Sequence, residues 1–280
     1  MRKNILITGK DSYIGSKFSE YATEYGDMVR TIDMITDDWR KEDFSSFDAV
    51  VHVAAIVHKH EREYTKEECF DVNTKLAYDV AKKAKNDGVK QFVFLSTMSV
   101  YGKISGVVTK DTELSPVNIY GESKLQAEKL ISELCDEDFT VTVLRPPIVY
   151  GKGCKGNYVQ LSAFARKMPF FPMYHSQRSM LYIDNLSAFI KKAIDEKLGG
   201  VFCPQDDEYV CTSEMVSVIS KANGKNIRLT KIFNPFIKLA LKLKINIVNK
   251  VFATLVYDKS LCPPYDKVDF ETAIKLTEVK

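Results

Sequence analysis

The chain has 280 residues, 45% hydrophobic and 28% charged, an ordinary globular balance with room for one large domain and a smaller appendage. Its 40 basic and 37 acidic residues leave a formal net charge of only +3, which gives no global reason to expect nucleic acid as a partner. The start, MRKNILITGKDSYIG, lacks the features of a secretory signal, and no apolar run approaches the ~18 residues of an integral membrane segment, so a cytoplasmic protein is expected.

Strand-like runs at Asn4–Thr8, Met28–Ile32, Ala49–Val53, Gln91–Leu95 and Thr140–Leu144 alternate with helical patterns at Ile14–Tyr25, Lys75–Asn86 and Tyr120–Cys135. Repeated strand–helix–strand order predicts an α/β fold, a doubly wound parallel sheet of Rossmann type, over residues 1–150. Residues 34–47 carry neither a convincing helix nor a long apolar strand, and a shortened crossover is expected there. His58-Lys59-His60 is the nearest approach to a metal-ligand cluster and reads as a solvated loop, so no metal is expected. From Gly151 onward Pro and Gly punctuate the pattern. A small C-terminal α/β substrate lobe is expected over 151–280, with a return segment to the main domain near 180–200. Within it, Pro235–Leu255 has apolar residues at 237, 241, 245, 248 and 252, read as one helix packing inward rather than lying on a membrane. Six scattered cysteines form no C-x-x-C pair and read as free thiols.

Three local patterns carry chemistry. Gly9 and Gly15 bracket a turn between the first strand and first helix, where backbone N–H groups can receive a pyrophosphate. Ser12 replaces the middle glycine and crowds that pyrophosphate unless its hydroxyl supplies a hydrogen bond. Asp33 ends the second strand, where an acid binds the adenosine ribose and repels a 2′-phosphate; this favours NAD, with NADP left open. Tyr120 and Lys124, four apart, share a helix face, and a neighbouring ammonium favours the phenolate. Thr97 follows the fourth strand, where open parallel sheets bind ligands, and can hold the oxygen that Tyr120 deprotonates.

Together with Asp48–Ala55, Leu144–Pro147 and Gln177–Leu186, these residues resemble the extended short-chain dehydrogenase/reductases, the NAD-dependent epimerase/dehydratase group, from Met1 to roughly Leu186. The resemblance implies that Gly9, Ser12, Tyr13, Ile14 and Gly15 surround the pyrophosphate and Asp33 the ribose. It implies that Asp38 and Trp39 flank adenine, that Val53, Ala54 and Ala55 pack on the cofactor, and that Asn73 supports the active-site strands. Thr97, Tyr120 and Lys124 would be catalytic, and Pro147 would touch the nicotinamide end. Arg178 would pair with the diphosphate of a UDP-sugar substrate, with Asn157 on the same phosphates. Relatives often dimerise through a helix pair, so a homodimer is expected by analogy.

The related dehydratases carry an Asp-Glu pair after the catalytic hydroxyl; Met98 and Ser99 stand there and cannot perform elimination. Two redox reactions at C4 of a UDP-hexose remain. Ser12 and the abbreviated 34–47 region suggest a cofactor that dissociates, which favours a UDP-4-keto-6-deoxy-N-acetylhexosamine 4-reductase of surface-polysaccharide synthesis. The alternative is a UDP-glucose or UDP-N-acetylglucosamine 4-epimerase. A non-catalytic NAD(P)-sensing regulator would have no need to keep Thr97, Tyr120 and Lys124.

Overall fold

The computed structural model describes residues 2–57 and 64–279, so the His58–His60 candidate lies outside the described residues. In chain order the first half holds β1 (Asn4–Thr8), α1 (Tyr13–Glu24), β2 (Met28–Ile32), β3 (Ala49–His52), α2 (Lys66–Phe70), α3 (Ala77–Asn86), β4 (Gln91–Leu95), β5 (Gly106–Val108), α4 (Ile119–Ser132) and β6 (Thr140–Leu144). The second half holds β7 (Ile148–Tyr150), α5 (Asn157–Lys167), β8 (Phe170–Pro172), β9 (Met180–Tyr182), α6 (Ile183–Asp195), β10 (Gly200–Phe202), α7 (Thr212–Ala222), β11 (Arg228–Thr230), α8 (Asn234–Lys242), α9 (Asn246–Phe252), β12 (Leu255–Tyr257) and α10 (Phe270–Glu278).

Six strands form one parallel sheet in the order β10-β6-β4-β3-β1-β2. Its inner strands β1, β3, β4 and β6 read as largely apolar runs because both faces are covered, whereas the edge strands β2 and β10 are mostly exposed. Ile5, Ile7, Val51 and Val93 point to one face, under Phe18 and Ala22 of α1 and Leu186, Phe189 and Ile190 of α6. Leu6, Val50, Phe92 and Phe94 point to the other, under Val80 and Ala84 of α3 and Ala127 and Ile131 of α4. The chain crosses from β2 back over β1 to β3, so the order reverses between β1 and β3. A ligand crevice belongs at the carboxyl ends of strands beside such a reversal.

The crossover before β3 contains no α-helix but one 3₁₀ turn, Asp37–Lys41. Trp39 is buried there with Ile32 and Phe44, which lets a single turn replace a helix. The segment Pro235–Leu255 is not one helix. It breaks between α8 and α9, where Lys244 adopts φ 54°. Three two-stranded parallel sheets, β7-β9, β5-β12 and β8-β11, organise the remainder.

Candidate active site

The loops after β1, β3, β4 and β6 meet at the reversal. Gly9 has φ 100°, and a Cβ on it would fall 3.0 Å from the Ala54 backbone, so the glycine lets the first and third loops close on each other. The N–H groups of Gly9 and Lys10 both donate to the Ile32 carbonyl at 3.1 Å, holding the phosphate loop beside the end of β2 and Asp33. Asp33 is exposed, and one of its carboxylate oxygens accepts from Ile35 N–H at 2.9 Å. Nearby Arg30 is ion-paired with Glu42 at 2.6 Å. Ser12 caps α1, its hydroxyl accepting from Gly15 N–H at 3.2 Å. A Cβ on Gly15 would fall 2.5 Å from that hydroxyl, so the cap and the glycine depend on each other. Tyr13 and Ile14 contribute first-turn N–H groups, but the Tyr13 ring packs the other way, its hydroxyl 2.8 Å from where a Gly151 Cβ would stand. These donors, the helix N-terminus and the acid after β2 fit a dinucleotide. Trp39 does not present an open ring to adenine, since its indole lies in the core, while Asp38 faces solvent and bonds Lys41 at 3.1 Å. Val53 and Ala55 are half-buried on the loop after β3, and Pro147 is buried after β6.

Thr97, Tyr120 and Lys124 converge. Asn118 caps α4 by accepting from Gly121 N–H at 2.7 Å. A Cβ on Gly121 would fall 2.8 Å from the Ser99 carbonyl, so the glycine allows α4 to press against the turn that carries Thr97. Burial raises the Tyr120 phenol well above its ordinary value, and a hydrogen bond with Thr97 opposes that. Lys124 is fully buried and donates to the Leu95 carbonyl at 2.7 Å, with its ammonium 4.4 Å from the centre of the Phe94 ring. Burial pulls its pKa down to about 7, and Glu128 works against the fall. Burial therefore opposes the phenolate in this cluster, and a positive charge beside the phenol would favour it.

Asn73 is buried in a π-helical turn, Asp71–Leu76, a geometry that recurs at functional sites. Its side chain accepts from Ile56 N–H at 2.8 Å and donates to the Ser123 hydroxyl at 3.1 Å. It thus clamps the loop after β3 onto α4, between Tyr120 and Lys124, rather than facing a ligand. Sequence reasoning assigned Ser123 no role, yet its hydroxyl also donates to the Tyr120 carbonyl at 2.9 Å.

A buried ionic network lies one turn further along α4. Arg145 donates to both oxygens of Glu128, at 3.0, 3.2 and 2.6 Å, and to the Tyr101 hydroxyl at 2.8 Å. The Ser96 hydroxyl donates to the same carboxylate. The network joins the ends of β4 and β6 to α4 and so fixes Lys124 from below. Beneath it on the sheet, His52 is held down to about pKa 3 by burial, with the Lys124 charge adding to the effect, and contacts the Thr8 hydroxyl at 2.7 Å.

Arg178 bridges the lobe, pairing through its backbone with Val210 and Leu255. Its guanidinium donates to the Asn249 carbonyl of α9, and its buried Nε has no hydrogen-bond partner among the described residues. Burial lowers its pKa. A desolvated guanidinium that pairs with no carboxylate among the described residues is suited to receive an anion. Asn157 is exposed at the start of α5.

Comparison with known proteins gives three findings. The model of the NAD dependent epimerase/dehydratase family matches residues 5–201. The UDP-glucose 4-epimerase of Vibrio cholerae is 30% identical over 93% of this chain and 88% of its own length. The WbmG enzyme of Bordetella bronchiseptica, solved with NAD and UDP, superimposes with a TM-score of 0.76 at 21% identity, covering 99% of this chain and 93% of that one.

Proposed function

Because the chain belongs to the NAD-dependent epimerase/dehydratase family and is thereby an NAD-dependent nucleotide-sugar enzyme, we propose that it is a 4-epimerase acting on a UDP-hexose. The observation that carries the reading is the end-to-end similarity to a UDP-glucose 4-epimerase in a chain that brings Thr97, Tyr120 and Lys124 together at the strand ends. The two grounds for a reductase weaken on the geometry. Ser12 directs its hydroxyl into its own helix at Gly15, so it does not stand in the crevice. The short crossover is closed by buried Trp39 rather than left open.

NAD, when bound, accepts and returns the C4 hydride and supplies positive charge on its nicotinamide ring. In the proposed reaction the Tyr120 oxygen takes the proton of the C4 hydroxyl as the hydride leaves, and returns it to the same oxygen after the 4-keto sugar has turned over. Thr97 donates to or accepts from that oxygen, which keeps it within reach of the phenol. Lys124 holds the phenolate electrostatically. Arg178 holds the diphosphate, so the sugar can turn while its handle stays fixed. Met98 and Ser99 offer no carboxylate for elimination.

The test is incubation of the purified chain with UDP-glucose and with UDP-N-acetylglucosamine, without added reductant, followed by product NMR. Interconversion of the C4 epimers with NAD retained is the expected result. Stoichiometric consumption of NADH on a UDP-4-keto-6-deoxy sugar, with no epimerisation, would sink the proposal.

A further inference from the structure

We propose that the α8–α9 pair is a docking surface for an anionic lipid bilayer. α8 buries Ile237 against the core, as the inward stripe of the sequence requires. It also carries a second apolar stripe that the fold does not cover. Phe236 is 71% exposed, Leu239 56% and Leu243 66%, at spacings of three and four that place them on one helix face. Ile232, 74% exposed, precedes the stripe, and Ile247, 73% exposed, stands on α9 after the break. Isolated exposed apolar residues are common on proteins, but a contiguous set rimmed by cations marks an interaction surface.

Charge selects the occupant. Residues 215–257 contain eight Lys and Arg and no Asp or Glu, in a chain that is otherwise close to charge balance. Five of the lysines, Lys231, Lys238, Lys242, Lys244 and Lys250, are exposed around the stripe. A second copy of the chain docking by this same face would bring like charge against it and be repelled. An anionic bilayer complements both features: the Phe, Leu and Ile side chains enter between headgroups while the lysine stems extend to the phosphates. No helix among the described residues is long and apolar enough to cross a membrane, so the pair lies on the surface rather than spanning it. α9 also supplies the carbonyl that holds Arg178, which links the docked pair to the proposed diphosphate site. The docking itself does not rest on the epimerase reading.

Vesicle co-sedimentation of the full chain, without substrate, tests it. Vesicles of phosphatidylcholine with about one third phosphatidylglycerol should pull the protein down, phosphatidylcholine alone should not, and added salt should weaken binding. Lys238→Gln/Lys242→Gln removes two charges at about five-fold each, so partitioning should fall roughly 25-fold. Leu239→Glu/Leu243→Glu should abolish it. All four side chains are exposed, and unchanged melting curves would show that the variants fold. Failure to bind anionic vesicles would overturn the proposal. So would binding untouched by both variants, or a self-association or protein capture through this face with no lipid binding. Epimerase activity is read separately, so its loss or presence leaves this outcome distinct.

Discussion

Lys124 is buried with no carboxylate among the described residues in direct contact, its ammonium resting on the Leu95 carbonyl at 2.7 Å. Its folded-state pKa of about 7 lies below the ~10.4 of an unfolded lysine. Between those values the unfolded chain holds a proton that the folded chain does not, so this group makes stability rise with pH, by at most about 1.4 kcal/mol per pH unit. Below about 7 both states are protonated and the cost of the buried charge is constant. Lys124→Met should remove that rise, seen as a difference in urea midpoint between wild type and variant that shrinks from neutral to alkaline pH. The difference isolates Lys124 from Cys154, Cys203 and Cys262, whose raised pKa values act in the opposite sense. A constant difference across the range would show that the lysine keeps an ordinary pKa. Arg178 makes a different prediction. A lysine there keeps the charge but loses the planar fork, so Arg178→Lys should raise KM for a UDP-sugar by roughly 10-fold or more with a much smaller change in kcat. Equal losses in both would remove the diphosphate role. The proximity of Thr97, Tyr120 and Lys124 is legible in the sequence because their relation is local: a strand end, and one turn of one helix. Ser123 and Asn73 could not be paired, because the bond between them joins residues 50 apart in sequence.

The main elements were legible for a similar reason. Buried strands appear as largely apolar runs, and the observed Asn4–Thr8, Gln91–Leu95 and Thr140–Leu144 coincide with them, while the edge strand Met28–Ile32 is mostly exposed and shows only a short β-branched pattern. The crossover over 34–47 was recognised as short, but the place of Trp39 in the core depends on Phe44 and Ile32 around it, which periodicity does not report. Pro235–Leu255 reads as one helix because the apolar spacing in the sequence continues past the break at Lys244, although Ile245 beside that break is exposed. α4 shows how an element transmits a constraint. Glu128 lies one turn beyond Lys124 and is held by Arg145 from β6 and Ser96 from β4. Removing one partner leaves a buried charge unpaired, at a cost of about 3–5 kcal/mol. Glu128→Gln keeps the shape and some hydrogen bonds, so a loss of about 2–4 kcal/mol in chemical denaturation is expected. It also removes the charge that opposes the fall of the Lys124 pKa, which should then titrate below about 7. Glu128→Gln/Arg145→Met should recover part of the stability but not the Lys124 titration. Additive losses in the double variant would mean that the two side chains do not act as a pair.

At the scale of the whole molecule, the end of the chain ties the lobe together. Glu278 is the last residue of α10, where the carbonyl end of the helix dipole disfavours a carboxylate. Its position is offset by three donors from two other elements: the Tyr158 hydroxyl at 2.8 Å and the Ser162 hydroxyl at 3.0 Å from α5, and Asn223 at 2.8 Å just past α7. Nothing in the sequence pattern marks this glutamate, because the partners lie 120, 116 and 55 residues away. Ala273 and Ile274 of the same helix enter the apolar cluster that runs through α6 to the sheet. The carboxylate therefore closes the outer side of a packing unit whose inner side supports β1 and β3. Glu278→Ala leaves the Tyr158 and Ser162 hydroxyls without their acceptor and should cost about 1–3 kcal/mol. Because the loss is confined to bonds among α5, α7 and α10, hydrogen exchange should accelerate in those helices and leave the amides of β1, β3 and β4 at their wild-type rates. Acceleration spread evenly over the sheet would mean that lobe and sheet open as one unit, and the latch would then hold the whole fold rather than its outer layer.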